Sequence, residues 1–374
     1  MEIKVFTVSF DSYLRIIMIR YRGMFDTKTS DRQQAILQEL IKNPFSRLEL
    51  ENALSRRFSL SKVTVLRDLK FLINRGWVQS SGIGRSAKYA INQSQSLLIP
   101  INKEWYYSEQ SGLRQFAKES FDPDVFTRFS HVMSQDEQQY LSLQSKNIQT
   151  QKQKLDPTIF KRELERFTIE FSWKSSRIEG NTYSLLETEQ LIKQKQEAVG
   201  HTKEEAVMIL NHKTALDYVL SDPNAFKRID REKIIHIHTL LVKDMSISVG
   251  IRSQRVGISG TNYIPPASKE KVEKYLDQTA ELINVASYPL EKSLISASMI
   301  PYIQAFADGN KRTSRMIANA ILLAYDLFPI SYRDVDEVAY KQALILFYEQ
   351  NNLYNFKKLF IDQFLWANKK YFQI

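Results

Sequence analysis

The 374-residue chain contains no cysteine. That excludes disulfides, thiolate metal ligands and cysteine nucleophiles, and it suits a reducing compartment. Glycine is scarce, with 11 residues, about half of ordinary usage, so the places where glycines gather mark segments in which the chain must turn tightly. No apolar run approaches the length that a bilayer demands, and Glu2, Lys4, Asp11 and Arg15 interrupt any signal-like core at the start. The expectation is a cytoplasmic protein with no membrane partner.

What the chain does have is an ordinary apolar content of 43% and length enough for two or three domains. Its charge is unevenly spread. Residues 1–100 hold 16 Lys and Arg against 8 Asp and Glu, and the rest hold 36 against 34, so most of the net +10 lies in the first quarter. A basic domain of that size suggests nucleic acid as partner, with a merely soluble basic surface as the alternative.

After an N-terminal extension (1–30), the spacing of Ala35, Ile36, Leu40 and Ile41 predicts a helix that Pro44 stops. A short helix around SRLELENALSRR follows, then a third in SLSKVTVLRDLKFLINRG, with Leu66, Leu69, Leu72 and Ile73 as its apolar stripe. Two β-prone runs turn at Gly82 and Gly84. Three helices and a Gly-turned hairpin predict a small α+β winged helix-turn-helix domain over 31–95, similar to those of bacterial regulators. Such a fold reads DNA through its third helix and touches backbone with its wing. The candidate DNA contacts are Ser61, Lys62, Thr64, Arg67 and, on the wing, Arg85; a protein-docking role is the alternative. Residues 96–156 are expected to connect the two parts.

From Pro157 to the end (157–374) helical periodicity dominates, so the fold class is mainly α. Phe160, Leu164, Phe167 and Phe171 recur at four-three-four spacing. Ser184 with Glu187, and Thr202 with Glu205, have capping-box spacing and mark helix starts. Gly250, Gly257 and Gly260 cluster in VGIRSQRVGISGTNYIPP, which predicts a β-hairpin flap closed by Pro265 and Pro266 on the helical body.

The stretch QAFADGNKRTSR carries the chemistry. Gly309 lets backbone approach a ligand, a new helix starting near Lys311 points its N–H groups and dipole at an anion, and Arg312 and Arg315 can each fork onto phosphate oxygens. Asp308 can hold a divalent cation. IQAFADGNKRTSR resembles the signature of the Fic (Fido) family, His-x-Phe-x-Asp/Glu-Gly-Asn-x-Arg-x-x-Arg, matching at Phe306, Asp308, Gly309, Asn310, Arg312 and Arg315. The likeness extends over roughly 157–366, an all-helical domain with a flap. It implies a protein adenylyltransferase that moves AMP from ATP to a hydroxyl side chain of a target protein or of itself. On that resemblance, Asp308 holds Mg²⁺, the turn Gly309, Asn310, Lys311 and Arg312 holds the α- and β-phosphates, and Arg315 meets the γ-phosphate. The flap residues Ile258, Ser259, Gly260, Thr261 and Asn262 hold the target by strand addition.

SSRIEGN resembles the family's inhibitory motif, here Ser175, Glu179 and Gly180. A carboxylate at the end of the preceding amphipathic helix can pair with Arg315 and occupy the place of the γ-phosphate. One departure stands out: the family's histidine is Gln304 here. An amide neither accepts a proton near neutral pH nor titrates, so the general base is missing. None of the five histidines, His131, His201, His212, His236 and His238, lies inside the motif. Three functions stay open at this point: an adenylyltransferase with impaired catalysis, an ATP-sensing DNA-binding regulator without transferase activity, and a purely structural interaction protein that binds no nucleotide; the sequence also leaves a homodimer open.

Overall fold

A computed structural model describes residues 29–108, 114, 117–129 and 132–371. The chain divides into two compact units. One is formed by the residues up to Ile91 with Met133–Gln144, the other by Asn92–Val132 with the residues from Ser145 onward. The N-terminal extension up to residue 28 and His131 lie outside the described residues.

In the first unit Asp31–Lys42 (α1), Arg47–Leu54 (α2) and Lys62–Asn74 (α3) are helices, each begun by a serine. Ser30, Ser46 and Ser61 accept the N–H of Gln33, Glu49 and Thr64, satisfying donors that a helix start leaves without partners. Strands Phe45–Ser46 (β1), Val78–Ser81 (β2) and Lys88–Ile91 (β3) form an antiparallel sheet in the order β1-β3-β2, with Val78 opposite Ile91 and Ser81 opposite Lys88. The buried face of α3 is rotated from the expected one. Val65, Leu69 and Leu72 enter the core, while Leu66 is 37% exposed and Ile73 half-buried. The reason is Asp68, which turns inward to take hydrogen bonds from Arg32 and Gln33 of α1 and carries its side of the helix with it.

The second unit is helical. Its main elements are Pro157–Ile178 (α4), Leu185–Gln194 (α5), Lys203–Ser221 (α6), Arg231–Val242 (α7), Lys269–Val285 (α8), Pro289–Ile303 (α9), Asn310–Ala324 (α10), Glu337–Gln350 (α11) and Tyr354–Lys370 (α12). The Ser184–Glu187 and Thr202–Glu205 capping boxes both form. The centre is α9, buried on every side from Leu290 to Ile303, as a helix with apolar residues all round must be. Full burial of Leu290, Leu294 and Ile300 contributes about 1.5–3 kcal/mol each. Its two charges are satisfied: Glu291 accepts the N–H of Val132, and Lys292 donates to the carbonyls of Ile283 and Asn284. Ser293 donates to the carbonyl of Ala318, tying α9 to α10. Among the described residues no helix is long and apolar enough to cross a membrane.

The mainly α class holds, but residues 250–266 do not form the expected hairpin. They run as a loop that makes an isolated parallel pairing of Ile264 with Ser120. Ile264 donates to the carbonyl of Glu119 and accepts from the N–H of Phe121. Pro265 and Pro266 have no N–H to give a ladder, and the segment is held instead by side chains, as described next.

Candidate functional site

The helix pair α9 and α10 is joined by Gln304–Gly309, and the sequence of this loop determines its geometry. Gln304 closes α9 in the left-handed region at φ 51°, its N–H donating to Ile300. Its side-chain amide bonds within the loop: Nε2 donates to the carbonyl of Pro301 at 2.7 Å, and Oε1 accepts from Asn310 Nδ2 at 3.0 Å. Asn310 also accepts the N–H of Phe306 at 2.9 Å and donates to its carbonyl at 2.8 Å. A residue the sequence did not single out braces the same point. Arg252, buried, donates to the carbonyls of Gln304, Gln254 and Pro266, fastening the loop 250–266 to the end of α9; an arginine among the flap glycines was the only signal. Gly309 has φ +80°, and a Cβ there would lie 3.3 Å from Val242 and 3.4 Å from the His238 ring, so glycine is needed both for the turn and for the close fit.

Gly309 is the N-cap of α10 and has no side chain to occupy the first-turn N–H groups. They and the helix dipole face the loop, the arrangement in which helix starts hold anions. Arg312 and Arg315 enter the helix three residues apart, and both are almost completely buried. Arg312 donates to Asp308 at 3.1 Å and to the carbonyl of Leu241 at 3.4 Å, and its buried Nε has no partner. Asp308 is 67% exposed. Among the described residues there is no cluster of three or more His, Asp or Glu able to hold a metal; a lone exposed carboxylate fits Mg²⁺, which takes one or two protein carboxylates and completes its shell with phosphates and water.

The end of α4 reaches this helix start. Glu179 caps α4, and Gly180, at φ +104°, lets the chain turn away so that the N–H of Asn181 meets the carbonyl of Ser176. Glu179 Oε1 accepts from Arg315 at 2.8 Å, and Oε2 from Lys311 Nζ at 2.8 Å. Burial raises the pKa of this carboxyl, but the two cations outweigh it and hold it down at about 2. Arg315 is further fixed by Ser175, which accepts from Nε through Oγ and from Nη2 through its carbonyl, both at 2.9 Å. The Tyr340 hydroxyl takes Nη1 at 3.3 Å, with the guanidinium over its ring. Lys311, expected on phosphate, thus holds the glutamate as well.

A second missed residue stands behind Ser175. His212, fully buried, lies 2.9 Å from Ser175 Oγ through Nε2 and 2.9 Å from the carbonyl of Met208 through Nδ1. A carbonyl only accepts, so Nδ1 carries the proton, and Nε2 accepts the Ser175 hydroxyl. Burial pushes the imidazole down to about 3, which keeps it neutral beside two arginines. His238 is also neutral, pushed down to about 4 by burial; it donates to the carbonyl of Asp308 at 3.0 Å and stacks on Phe306. His236 is exposed against Tyr218, and His201 pairs with Thr182 at the start of α6. The side-chain hydrogen bonds of Gln304 go to Pro301 and Asn310 and not to any of these four histidines.

In the flap segment Ser259, Gly260 and Asn262 are exposed, and Ile258 is half-buried. Thr261 donates to Glu349 at 2.6 Å, and the carbonyl of Gly260 accepts from Arg114 at 2.8 Å. In the first unit Lys62 and Arg67 are exposed on α3, whereas Ser61 and Thr64 are taken up by one another at the helix start, their hydroxyls 2.9 Å apart. The Arg85 side chain lies outside the described residues.

Residues 228–322 match the model of the Fic/DOC family. The chain is 28% identical over 189 residues to the protein adenylyltransferase Fic of Nematostella vectensis, covering 49% of this chain and 44% of that protein. Against the protein of the same name from Culex quinquefasciatus it is 25% identical over 185 residues, covering 47% and 36%. The chain thus spans less than half of the length of these curated relatives. A Fic-domain-containing signaling protein from Bacteroides thetaiotaomicron superposes at a TM-score of 0.52, with 20% identity, over 62% of this chain and 94% of that one. A Fic family protein from Desulfovibrio desulfuricans gives 0.50, with 21% identity, over 67% and 74%. At such identities the likeness is one of fold. Over residues 228–322 the chain is thus similar to the Fic/DOC family, and over about half its length to protein adenylyltransferases.

Proposed function

We propose that this Fic-domain protein binds ATP with Mg²⁺ at the start of α10 and is held in check by its own Glu179. The single observation that carries the reading is the Glu179 carboxylate seated between Arg315 and Lys311 at 2.8 Å from each, where an anionic ligand of the helix start would compete for the same two cations. The N–H groups after Gly309, with Lys311 and Arg312, are the proposed seat of the α- and β-phosphates, Arg315 that of the γ-phosphate, and Asp308 the metal ligand. The segment 258–262 is the proposed seat of a target segment presenting a hydroxyl.

In this reading transfer of AMP to that hydroxyl is impaired, because Gln304 cannot take the proton and its amide is already spent on Pro301 and Asn310. Loss of a general base costs about 10²- to 10⁴-fold. The same observation favours a second reading, in which the domain senses ATP without transfer and residues 31–95 act as a DNA-binding winged helix. Both are tested with labelled ATP and Mg²⁺. Label on Glu179→Gly, and more strongly on Gln304→His/Glu179→Gly, supports a slow transferase. Label on the double variant alone removes transfer from the native protein and leaves the sensor. Absence of calorimetric ATP binding by Glu179→Gly overturns both.

A further inference from the structure

The outer face of α3 combines two residue types that a soluble helix has no structural reason to display together. At 3.6 residues per turn, Lys62, Leu66, Lys70, Val63 and Arg67 lie in that order across an arc of about 140°. All five are exposed. Val63 is 76% exposed, and as a β-branched residue in a first turn it favours neither the helix nor the core. The acid of this helix, Asp68, is turned inward onto Arg32, so the outer face carries three cations, no anion and two aliphatic side chains. A docking surface for another protein gains nothing from such one-signed charge unless the partner is acidic. Duplex DNA is anionic and also offers an apolar group in its major groove, the C5-methyl of thymine.

We propose that Val63 and Leu66 read thymine methyl groups in the major groove of duplex DNA while Lys62, Arg67 and Lys70 supply the contacts to its anionic backbone. This rests on the reading of residues 31–95 as a DNA-binding winged helix and adds the base that it recognises. Cations interleaved with two apolar side chains give affinity that falls with salt and selectivity that does not.

The full-length protein is equilibrated with a pool of duplexes carrying a randomised 20-base-pair core, and bound duplexes are enriched and sequenced. Affinities are then measured by anisotropy at two salt concentrations. In the enriched duplex each thymidine is replaced by deoxyuridine, which pairs alike but lacks the methyl. At one or two positions the replacement is expected to weaken binding about fourfold, the equivalent of about 0.8 kcal/mol for one methyl. Val63→Ala and Leu66→Ala, both at exposed positions, should each abolish that discrimination at one position while keeping the salt dependence. If every deoxyuridine duplex binds as tightly as its parent while affinity still falls with salt, the thymine reading is overturned and DNA binding stands. If no duplex enriches and no salt-dependent binding exists, the DNA reading itself falls and this inference with it.

Discussion

Replacing Glu179 by alanine should move two observables in opposite directions. Arg315 and Lys311 hold the carboxyl at about 2, against 4.5 for a free glutamate. At about 1.4 kcal/mol per pKa unit, the ionised group is favoured by its surroundings by about 3 kcal/mol at neutral pH. Removing it leaves Arg315 buried with neutral partners only, the Ser175 hydroxyl and carbonyl and the Tyr340 hydroxyl. The unliganded protein should lose about 2–3 kcal/mol, which for a domain of this size lowers Tm by about 5–10 °C. ATP, no longer competing with the carboxylate, should bind about 10- to 100-fold tighter, with about 3 kcal/mol as the ceiling on the gain. Scanning calorimetry of the two proteins, with and without ATP and Mg²⁺, reads the stability, and titration calorimetry reads the affinity. Because the folded carboxyl pKa is depressed, this stability is present above about pH 4.5 and lost as pH falls through about 2. A variant that loses the expected stability without binding ATP more tightly would show that the Glu179 pairs only brace the fold, and the competition argument would fail.

Two further outcomes follow from the buried polar groups. His212 and His238 sit at about 3 and about 4, below the 6.5 of free imidazole, so the unfolded chain binds protons that the folded one does not. Stability should therefore fall steadily from pH 6.5 toward 4, and His212→Asn should flatten that slope in a Tm-against-pH series; an unchanged slope means that other groups set it. Arg252→Ala removes donors from the carbonyls of Gln304, Gln254 and Pro266, at about 1–3 kcal/mol for the groups left unsatisfied. Limited proteolysis should then cut within residues 253–262 faster than in the parent, and equal rates would mean that other contacts hold this segment.

Much of the molecule was readable because its signals are local. Pro44 and the capping boxes at Ser184 and Thr202 placed one helix end and two helix starts within a residue or two, since each acts over one turn. The DGNKR turn was legible for the same reason: glycine at φ +80° before a helix start is a short-range requirement. The hairpin was not, because whether residues 250–266 pair with themselves or with Glu119 and Phe121 depends on what else lies nearby. Nor was the facing of α3, which an ion pair from α1 rotates.

By itself, then, the sequence determined the mainly helical class and the turn before α10, both of which follow from residue type and spacing. Only tertiary packing decided that Lys311 joins Arg315 on Glu179, that His212 orients Ser175 behind them, and that Gln304 is consumed by Pro301 and Asn310. The reason is physical. Salt bridges and hydrogen bonds depend on distances of a few ångströms between residues far apart in the chain, Glu179 and Arg315 among them, and spacing along the sequence does not encode those distances.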